Sequence, residues 1–467
     1  MSSLLDPAEM TATAIAQAVA SRKLSALDVL EAVLARIGAR DGVLNAFTDV
    51  IAEPARAKAR AIDAAIAAGQ SVGPLAGVPF AVKNLFDVQG LVTRAGAKIN
   101  RDSSPASRDA TLIERMEAAG AVLVGALNMG EYAYDFTGEN IHDGNSCNPH
   151  DTSRMTGGSS GGSGGAVGGR LVPIALGSDT NGSIRVPASF CGIFGLKPTY
   201  GRLSRARTFP FVASLDHLGP LARSVEDLAA SYDAMQGADA DDAACTTRAV
   251  EPVMPFLAQG IGGLRVAIAG GHFQQHLFPE AIEAVGRVAK ALNATEVVEV
   301  PEAARARAAA YVITTTEGAS LHLDRLRTRA HDFDPAVRDR LIAGAMVPAP
   351  LVDRAQKFRR WYRARVLELF KHVDVLIAPA TPCVAPKIGQ VNFVLDGVEL
   401  PVRANIGIHT QPISFIGLPV VAVPVPLQPM PIGVQLIAAP WREDIVLRVA
   451  HALQQMGTAV APEPKGL

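Results

Sequence analysis

The sequence predicts an α/β protein with a substantial β-sheet covered by helices. Short apolar, strand-like segments alternate along the chain with segments whose apolar residues recur at helical spacing. Hydrophobic residues make up 49% of the 467 residues and charged residues only 19%, so the chain can bury a large core. This composition excludes disorder, collagen-like repeats and coiled coils.

The predicted elements follow one another with short connections. In chain order we expect N-terminal helices at 10–38, a strand at 77–83, a helix at 109–119, strands at 121–127 and 171–177, a helix at 225–235, a strand at 264–269, a helix at 281–292, a mostly helical stretch at 303–371, and strands at 373–378, 419–425 and 433–437. Ser25 opens a capping-box-like sequence within the first helical segment. Because strand-like segments flank the long helical stretch, we expect an insertion in a single domain that spans residues 1–467.

The net charge limits the kinds of partner that can be expected, and the cysteine spacing limits the expected cell compartment. The 44 lysines and arginines balance 45 aspartates and glutamates, so no basic excess is available to neutralise a nucleic acid, and we expect no direct nucleic-acid partner. The cysteines form no C-x-x-C pair, which favours neither a zinc knuckle nor a disulfide framework and fits a reducing cytosol. They are Cys147, Cys191, Cys245 and Cys383.

The start of the chain carries no sign of export. Met1 to Asp6 lack a basic n-region and a long apolar h-region, and no apolar run approaches the roughly 20 residues of a membrane span. We therefore expect a cytoplasmic protein without a membrane segment.

The most unusual segment is a glycine- and serine-rich run at 157–165, whose composition alone is typical of a flexible linker. A second polar turn at 179–185 follows after one strand-like element. Two such turns can bring backbone N–H groups and hydroxyls together, which a linker does not do. Nucleotide binding is disfavoured, because no lysine follows the glycines as in a Walker loop and G-x-G-x-x-G is absent.

The sequence gives little or no support for three other kinds of site: the nucleophile elbow of an α/β-hydrolase, an S-x-x-K nucleophile and a metal site. The run matches G-x-S-x-G almost automatically, and residues 148–155 do not look like the strand that a nucleophile elbow needs. No lysine has a serine three residues before it, so the S-x-x-K nucleophile is absent. His272 and His276 have metal-ligand spacing if their segment is helical, but no glutamate follows His272 as H-E-x-x-H requires, so we expect no metal site.

A hydroxyl nucleophile needs a base, and Lys83 is the candidate. It closes the uncharged, largely apolar segment 77–82. A lysine at such a position is more often a surface residue with a buried stem and a solvated amine. If its amine is buried among small side chains instead, desolvation lowers its pKa and makes it a usable base.

Taken together, these segments resemble the motifs of the amidase signature family. The G-V-P-x-x-[VI]-K strand is matched at 77–83, the G-G-S-S-G-G-S run at 157–163, and the G-[ST]-D-x-x-G-S-I-R-x-P-[AS] turn at 177–188. Their order and spacing are similar to the family's, and the resemblance covers most of the chain. It implies a large mixed β-sheet covered by helices on both faces, and an amidase that requires no metal or cofactor.

The resemblance implies a Ser-cisSer-Lys triad. Ser183 would attack the carbonyl, Ser159 would relay its proton, and neutral Lys83 would accept it. In this family the peptide bond before the relay serine is cis. Asp179 and Arg185 would hold the nucleophile turn.

Main-chain N–H groups of the same turn would form the oxyanion hole. They belong to Thr180, Asn181, Gly182 and Ser183. The family turn is often x-G-G-S, so Asn181 departs from the common pattern. Because Asn181 would act through its main chain, the chemistry should survive this change.

The wider sequence is most similar to one subgroup of the family, the carboxybiuret hydrolases (biuret amidohydrolase type) of s-triazine degradation. Residues 179–189, 82–87 and 128–134 carry this similarity. The subgroup implies that an amide C–N bond of a small ureide-like acid is hydrolysed through an acyl-enzyme, with release of ammonia.

Three alternatives remain open. The A subunit of the tRNA-dependent glutamine amidotransferases, a glutaminase, shares much of the motif set, but the aspartate of its D-I-F-T-x-P-like segment is missing from the matching stretch 407–412. A general amidase for small amides is the second alternative. The third is a non-catalytic binding module on the same fold, which the intact lysine and serines disfavour.

Further residues and partners are implied by the relatives. Tyr311 and Arg340 of the helical stretch would lie near the substrate, where a guanidinium can hold a carboxylate through two hydrogen bonds. The alternative for Arg340 is an exposed side chain on an amphipathic helix. Tyr134 and His409 are additional candidates for substrate binding. Homodimerisation is also suggested, as is a small helical partner subunit.

Overall fold

The computed structural model describes residues 6–465 and 467. The expectation drawn from the start of the chain therefore lies, apart from Asp6, outside the described residues. Strands and helices alternate through the described part, which confirms the predicted α/β class.

Eleven strands form one mixed sheet, and four more form two small antiparallel pairs. The strands are β1 (Phe47–Val50), β2 (Pro79–Lys83), β3 (Val122–Leu127), β4 (Cys147–Asn148), β5 (Asp151–Met155), β6 (Ile174–Asp179), β7 (Phe194–Lys197), β8 (His217–Ala222), β9 (Val266–Gly270), β10 (Val297–Glu299), β11 (Val375–Pro379), β12 (Asn392–Leu395), β13 (Val398–Pro401), β14 (Val420–Val425) and β15 (Ile432–Ile437). The order in the large sheet is β1-β3-β2-β6-β8-β7-β14-β15-β11-β9-β10. β2 has parallel neighbours on both sides, β3 and β6.

The predicted helices are present close to their expected bounds, and six further helices, which begin at residues 52, 161, 185, 402, 411 and 443, were not predicted. The helices are α1 (Ala12–Ala20), α2 (Ala26–Leu44), α3 (Ala52–Ala67), α4 (Thr111–Ala118), α5 (Gly161–Gly168), α6 (Arg185–Phe190), α7 (Val225–Met235), α8 (Pro279–Ala291), α9 (Ala303–Arg329), α10 (Pro335–Ala345), α11 (Ala349–Leu369), α12 (Val402–Asn405), α13 (Gln411–Ser414) and α14 (Glu443–Gln455). The predicted cap is present, because Ser25 Oγ accepts a hydrogen bond from the Asp28 N–H at 2.9 Å. The helical stretch expected at 303–371 consists of α9, α10 and α11, and α9 packs against both of the others.

Both faces of the large sheet are covered. Every residue of β2, β3, β6, β8 and β15 is buried. Successive side chains of a strand point to opposite faces, so a fully buried strand has packing on both sides. None of the helices within the described residues is long and apolar enough to cross a membrane.

The structure shows what residues 148–155 form and adds elements that were missed. Residues 148–155 do contain a strand, β5, which pairs with β4 in a two-stranded sheet of its own. A nucleophile elbow requires a strand of the central sheet, and β5 does not belong to that sheet. β8 was missed because Gly219 and Pro220 interrupt its apolar pattern. The glycine is needed there, since a Cβ would lie 2.1 Å from the Leu196 carbonyl oxygen of β7.

Candidate active site

Lys83 is fully buried at the carboxyl end of β2. Its Nζ lies 2.7 Å from Ser159 Oγ, 3.0 Å from Ser160 Oγ and 2.9 Å from Ser178 Oγ. Lys83 therefore does not have the solvated amine that is commoner for a lysine at the end of an apolar strand. The amine instead lies at the centre of a cluster of hydroxyls.

Burial sets the acidity of this amine. Desolvation lowers the pKa of Lys83 to about 7, against the opposing charges of Asp179, Asp216 and Asp135. A large share of the amine is then neutral near neutral pH. Such an amine has a lone pair with which to accept a proton.

Ser160 and Ser178 were not predicted as partners of the lysine, although one signal for Ser178 was available. β2 and β6 are parallel neighbours, with Val82 beside Leu176. Their carboxyl ends therefore meet at the same edge of the sheet, and Ser178 reaches Lys83 from the adjacent strand.

Ser159 and Ser160 lie between β5 and α5, where the glycine-rich run folds. The peptide bond between Gly158 and Ser159 is cis, as the resemblance implies. α5 is buried along its whole length, and a Cβ on Gly162 would lie 2.4 Å from the Ala46 carbonyl oxygen. The glycines are needed for this close packing, so the run is not a flexible linker.

The turn after β6 carries Ser183 and is held by a buried ion pair. Arg185 donates from Nε and Nη2 to the two carboxylate oxygens of Asp179, each at 3.0 Å, and both side chains are fully buried. Asp179 also accepts from the Ile184 N–H at 3.2 Å. Burial favours the neutral acid, but the Arg185 charge and hydrogen bonds hold the pKa of Asp179 well below its usual range.

The backbone of this turn has unused donors. The N–H groups of residues 180–183 donate no hydrogen bond to another group in the described part of the chain. Gly182 has a φ of +144°, and a Cβ there would lie 2.2 Å from Thr410 Oγ1, so only glycine fits. Thr410 Oγ1 in turn donates to the Asn181 carbonyl oxygen at 2.7 Å. The turn is thus fixed from one side, while its N–H groups stay available to an anionic oxygen.

A small cavity lies against the turn. Ser183 lines it together with three of the predicted substrate-binding residues, Tyr134, Tyr311 and Arg340. The remaining wall is formed mainly by Phe136, Thr180, Asn181, Phe211, Thr314 and Gln411. Ser183 Oγ forms no hydrogen bond within residues 6–465, so no direct bond joins its hydroxyl to that of Ser159.

Arg340 is half-buried on α10 and is held against Tyr134. Its Nε donates to the Ala336 carbonyl oxygen at 2.7 Å, and its Nη2 donates to the Tyr134 carbonyl oxygen. Its guanidinium lies 3.9 Å from the centre of the Tyr134 ring. Arg340 is therefore not the exposed side chain of the alternative interpretation, and its other N–H groups remain available at the cavity wall.

His409 lies away from the cavity, contrary to its prediction as a substrate-binding residue. It is fully buried, with Nε2 3.0 Å from the Gln275 carbonyl oxygen. α13 begins two residues later, so Gln411 is the side chain of this segment that faces the cavity. Arg307 orients it by donating from Nε to Gln411 Oε1 at 3.0 Å.

The two histidines considered for metal binding do not share a helix face. His272 lies in a short 3-10 helix with Nε2 3.0 Å from the Ile408 carbonyl oxygen, whereas His276 has a left-handed φ of 56°. Within the described residues, no group of three or more His, Cys, Asp and Glu side chains is arranged to hold a metal ion.

A buried lysine among serines, beside a turn of unused N–H groups, is the arrangement that the amidase signature motifs describe. The chain belongs to the amidase family, whose sequence profile, described as Amidase, matches residues 28–447. The family resemblance found in the sequence is thereby confirmed.

Two individual relatives and one solved structure are similar to the chain over nearly its whole length. The chain is 55% identical over 453 residues to AtzE, the 1-carboxybiuret hydrolase subunit of Pseudomonas sp. (strain ADP), covering 96% of this chain and 99% of that one. It is 39% identical over 477 residues to the A subunit of glutamyl-tRNA(Gln) amidotransferase from Azotobacter vinelandii (strain DJ / ATCC BAA-1303), covering 96% and 97%. A solved s-triazine catabolic enzyme, reported as a vestigial protein complex, matches with a TM-score of 0.96 and 55% identity over 97% of this chain and 100% of that one.

Proposed function

We propose that the chain hydrolyses an amide C–N bond of a small carboxylated ureide such as 1-carboxybiuret and releases ammonia. The observation that carries the chemistry is the 2.7 Å contact between Lys83 Nζ and Ser159 Oγ at a buried site. The 55% identity to the 1-carboxybiuret hydrolase protein AtzE over nearly the whole chain supports the substrate.

The first half of the reaction forms an acyl-enzyme. Ser183 Oγ attacks the carbonyl carbon while its proton passes to Ser159, which gives its own proton to the lone pair of Lys83. The negative charge that develops on the carbonyl oxygen is stabilised by the free N–H groups of residues 180–183. A neutral lysine has two N–H donors and one lone pair, which matches its three hydroxyl partners.

The second half releases ammonia and regenerates the enzyme. When the tetrahedral intermediate collapses, the C–N bond breaks and Ser159 delivers a proton to the leaving nitrogen. The Lys83 ammonium then returns a proton to Ser159. A water molecule then attacks the acyl carbon by the same proton path, and the carboxylic product leaves Ser183 with its proton restored.

Arg340 and two tyrosines are suited to hold the substrate. The substrate carboxylate would meet the unused N–H groups of Arg340 at the cavity wall. Tyr134 Oη is buried without a hydrogen-bond partner in the described part of the chain, so a ligand of this cavity can satisfy it. Tyr311 lines the same wall.

The test is ammonia release by the purified protein from 1-carboxybiuret, biuret, allophanate, glutamine and simple aliphatic amides. We expect the highest kcat/KM for a carboxylated ureide, and its loss in Ser183→Ala. Faster turnover of plain aliphatic amides than of every ureide would favour a general amidase instead.

A glutaminase is the second candidate function, because the chain is 39% identical to an amidotransferase A subunit over nearly its full length. The aspartate expected of those subunits is absent from residues 407–412, where the cavity receives Gln411 instead. An amide does not pair with the ammonium group of glutamine as a carboxylate does. We therefore expect glutamine to be the poorer substrate in the same screen.

The relatives and the free thiols support proposals for the partner and the cell compartment. The matching s-triazine catabolic enzyme was solved as a protein complex, which supports a partner for this chain; we propose that this partner is small and helical and that the chain self-associates. The mass of the natively expressed complex tests both. Cys147, Cys191, Cys245 and Cys383 are free thiols, which favours the reducing cytoplasm.

A further inference from the structure

The side chain of Asn181 has no role in the proposed mechanism, which uses only its main-chain N–H. This side chain is 6% exposed and lines the cavity with Ser183. Its Nδ2 donates to Thr314 Oγ1 of α9 at 3.0 Å. Its Oδ1 is buried and has no hydrogen-bond partner within the described residues. An unpaired buried acceptor costs free energy, so a ligand that donates to it binds with an advantage.

In the structure the NH₂ end of the Asn181 amide is bonded to Thr314. With Nδ2 bonded to Thr314, the carbonyl end of the Asn181 side chain is the end left for a ligand. Asn181 precedes the proposed nucleophile by two residues, and both line one cavity. The residue with the free acceptor and the proposed nucleophile therefore belong to the same cavity wall.

We propose that Asn181 Oδ1 accepts a hydrogen bond from an N–H bonded directly to the attacked carbonyl carbon, and that it thereby selects ureides over amides of carboxylic acids. This inference rests on the proposed function and specifies its substrate class. In a ureide the attacked carbonyl carbon carries the leaving NH₂ and an internal N–H. The leaving nitrogen must meet Ser159 to receive its proton, so the internal N–H is the donor that remains for Asn181.

The selection acts by leaving the acceptor unpaired when the wrong substrate binds. An alkyl amide has a methylene group where the ureide has its internal N–H, and a methylene cannot satisfy Oδ1. A site built to hydrogen-bond a substrate group discriminates strongly against an analogue that lacks it. A glycine at position 181, the commoner residue of the family turn, has no side-chain acceptor with which to discriminate.

Substrate pairs that differ only by N–H and CH₂ test this directly. Allophanate and malonamate form a carboxylated pair, and biuret and malonamide form a neutral pair; 1-carboxybiuret is included as a third ureide. Ammonia release gives kcat/KM for each ureide, and competitive inhibition of that reaction gives Ki for malonamate and malonamide. We expect Asn181→Ala to lower kcat/KM for the ureides by about 10- to 100-fold, while Ki for the methylene compounds changes little.

Two further variants separate recognition from general damage. Asn181→Asp keeps an acceptor, so it should retain the preference for biuret over malonamide, whereas Asn181→Ala loses it. Thr316→Val is the matched control on α9, because the one hydrogen bond of Thr316 Oγ1 in the described part of the chain goes to the Val312 carbonyl oxygen of its own helix. Thr316→Val should keep the wild-type preference for biuret over malonamide.

The outcomes distinguish this inference from the proposed function. Equal losses for ureides and methylene compounds in Asn181→Ala would overturn the inference, as would an Asn181→Asp variant that discriminates no better than Asn181→Ala. Failure of the wild-type protein to release ammonia from any of the three ureides would instead overturn the proposed function, whatever the variants do.

Discussion

The amine of Lys83 lies 2.7 Å from the hydroxyl of Ser159, and no carboxylate forms an ion pair with this amine in the described part of the chain. The acids that influence Lys83 act from farther away and only partly offset its desolvation. A buried amine surrounded by hydroxyls is poorly suited to remain charged, and this is the property that a general base requires.

The activity should therefore depend on pH through Lys83. Its pKa is lowered to about 7, and only the neutral amine accepts a proton. We expect kcat/KM for a ureide to rise as the pH increases through about 7 and then to level off. The measurement is ammonia release between pH 5 and 9. A profile that stays flat through this range would contradict the role of Lys83 as base.

Folding stability should depend on the same group. Because its pKa is about 7 in the folded protein and its ordinary value is 10.5, the unfolded chain binds a proton between these pH values that the folded protein does not. Wild-type stability relative to Lys83→Met is then expected to increase from pH 7 to 10, and the full cost of burying the lysine applies below pH 7. Urea unfolding of both proteins at several pH values measures this difference. Parallel stability curves would count against it.

Ser183 and Ser163 provide a matched pair of serine variants. Ser183→Ala removes the proposed nucleophile, so we expect kcat to fall by at least about 10³-fold and no acyl-enzyme to form. Ser163 lies in the glycine-rich run, but its Oγ donates to the Leu176 carbonyl oxygen at 3.1 Å. Ser163→Ala should keep most of the activity. Mass spectrometry after a rapid quench detects the acyl-enzyme, and its persistence in Ser183→Ala would assign the nucleophile elsewhere.

Arg340→Met tests how the substrate carboxylate is held. Loss of a charge-assisted contact should weaken transition-state binding by about 2 kcal/mol or more, so kcat/KM should fall strongly for a carboxylated ureide and little for a neutral amide. Arg338→Met is the control, because Arg338 pairs with the exposed Asp339 on the same helix. Equal losses on both substrates would indicate that Arg340 acts only by holding Tyr134.

The Asp179–Arg185 pair, which holds the nucleophile turn, should also contribute to folding stability. Both side chains are fully buried, and Asp179 also accepts from Ser414 Oγ at 2.9 Å. Arg185→Met leaves a buried carboxylate without its cation, and we expect a loss of about 3–5 kcal/mol in the free energy of unfolding. Lys357→Met removes an exposed pair with Asp353 and should cost less than about 0.5 kcal/mol. Denaturant unfolding compares the two variants.

Local motifs explain why much of the site could be predicted from the sequence. The segment ending at Lys83 and the run around Ser159 each carry a motif contained in a few neighbouring residues, so both could be recognised in the sequence. The alternation of strands and helices likewise reflects local periodicity. These features required no knowledge of distant contacts.

The parts that could not be predicted depend on distant residues. The Asn181 side chain is oriented by Thr314, which is 133 residues later in the chain. Whether His409 or Gln411 faces the cavity depends on where a four-residue helix begins, and periodicity does not determine such a boundary. β8 lies inside the sheet despite its Gly219-Pro220 sequence. The glycine is required because the Leu196 carbonyl oxygen of β7 occupies the space that a larger side chain would need.

The contacts of the nucleophile turn have a consequence for synthesis of the protein. Lys83, Ser159 and Ser183 are all translated before residue 184, but Thr410 packs against Gly182, and Arg185 bonds to Ser414 and Gln435. These three partners are translated long after the residues that they contact. A nascent chain that already contains every proposed catalytic side chain therefore lacks the support that positions its nucleophile until the segment with Thr410, Ser414 and Gln435 has been made and has folded against the turn.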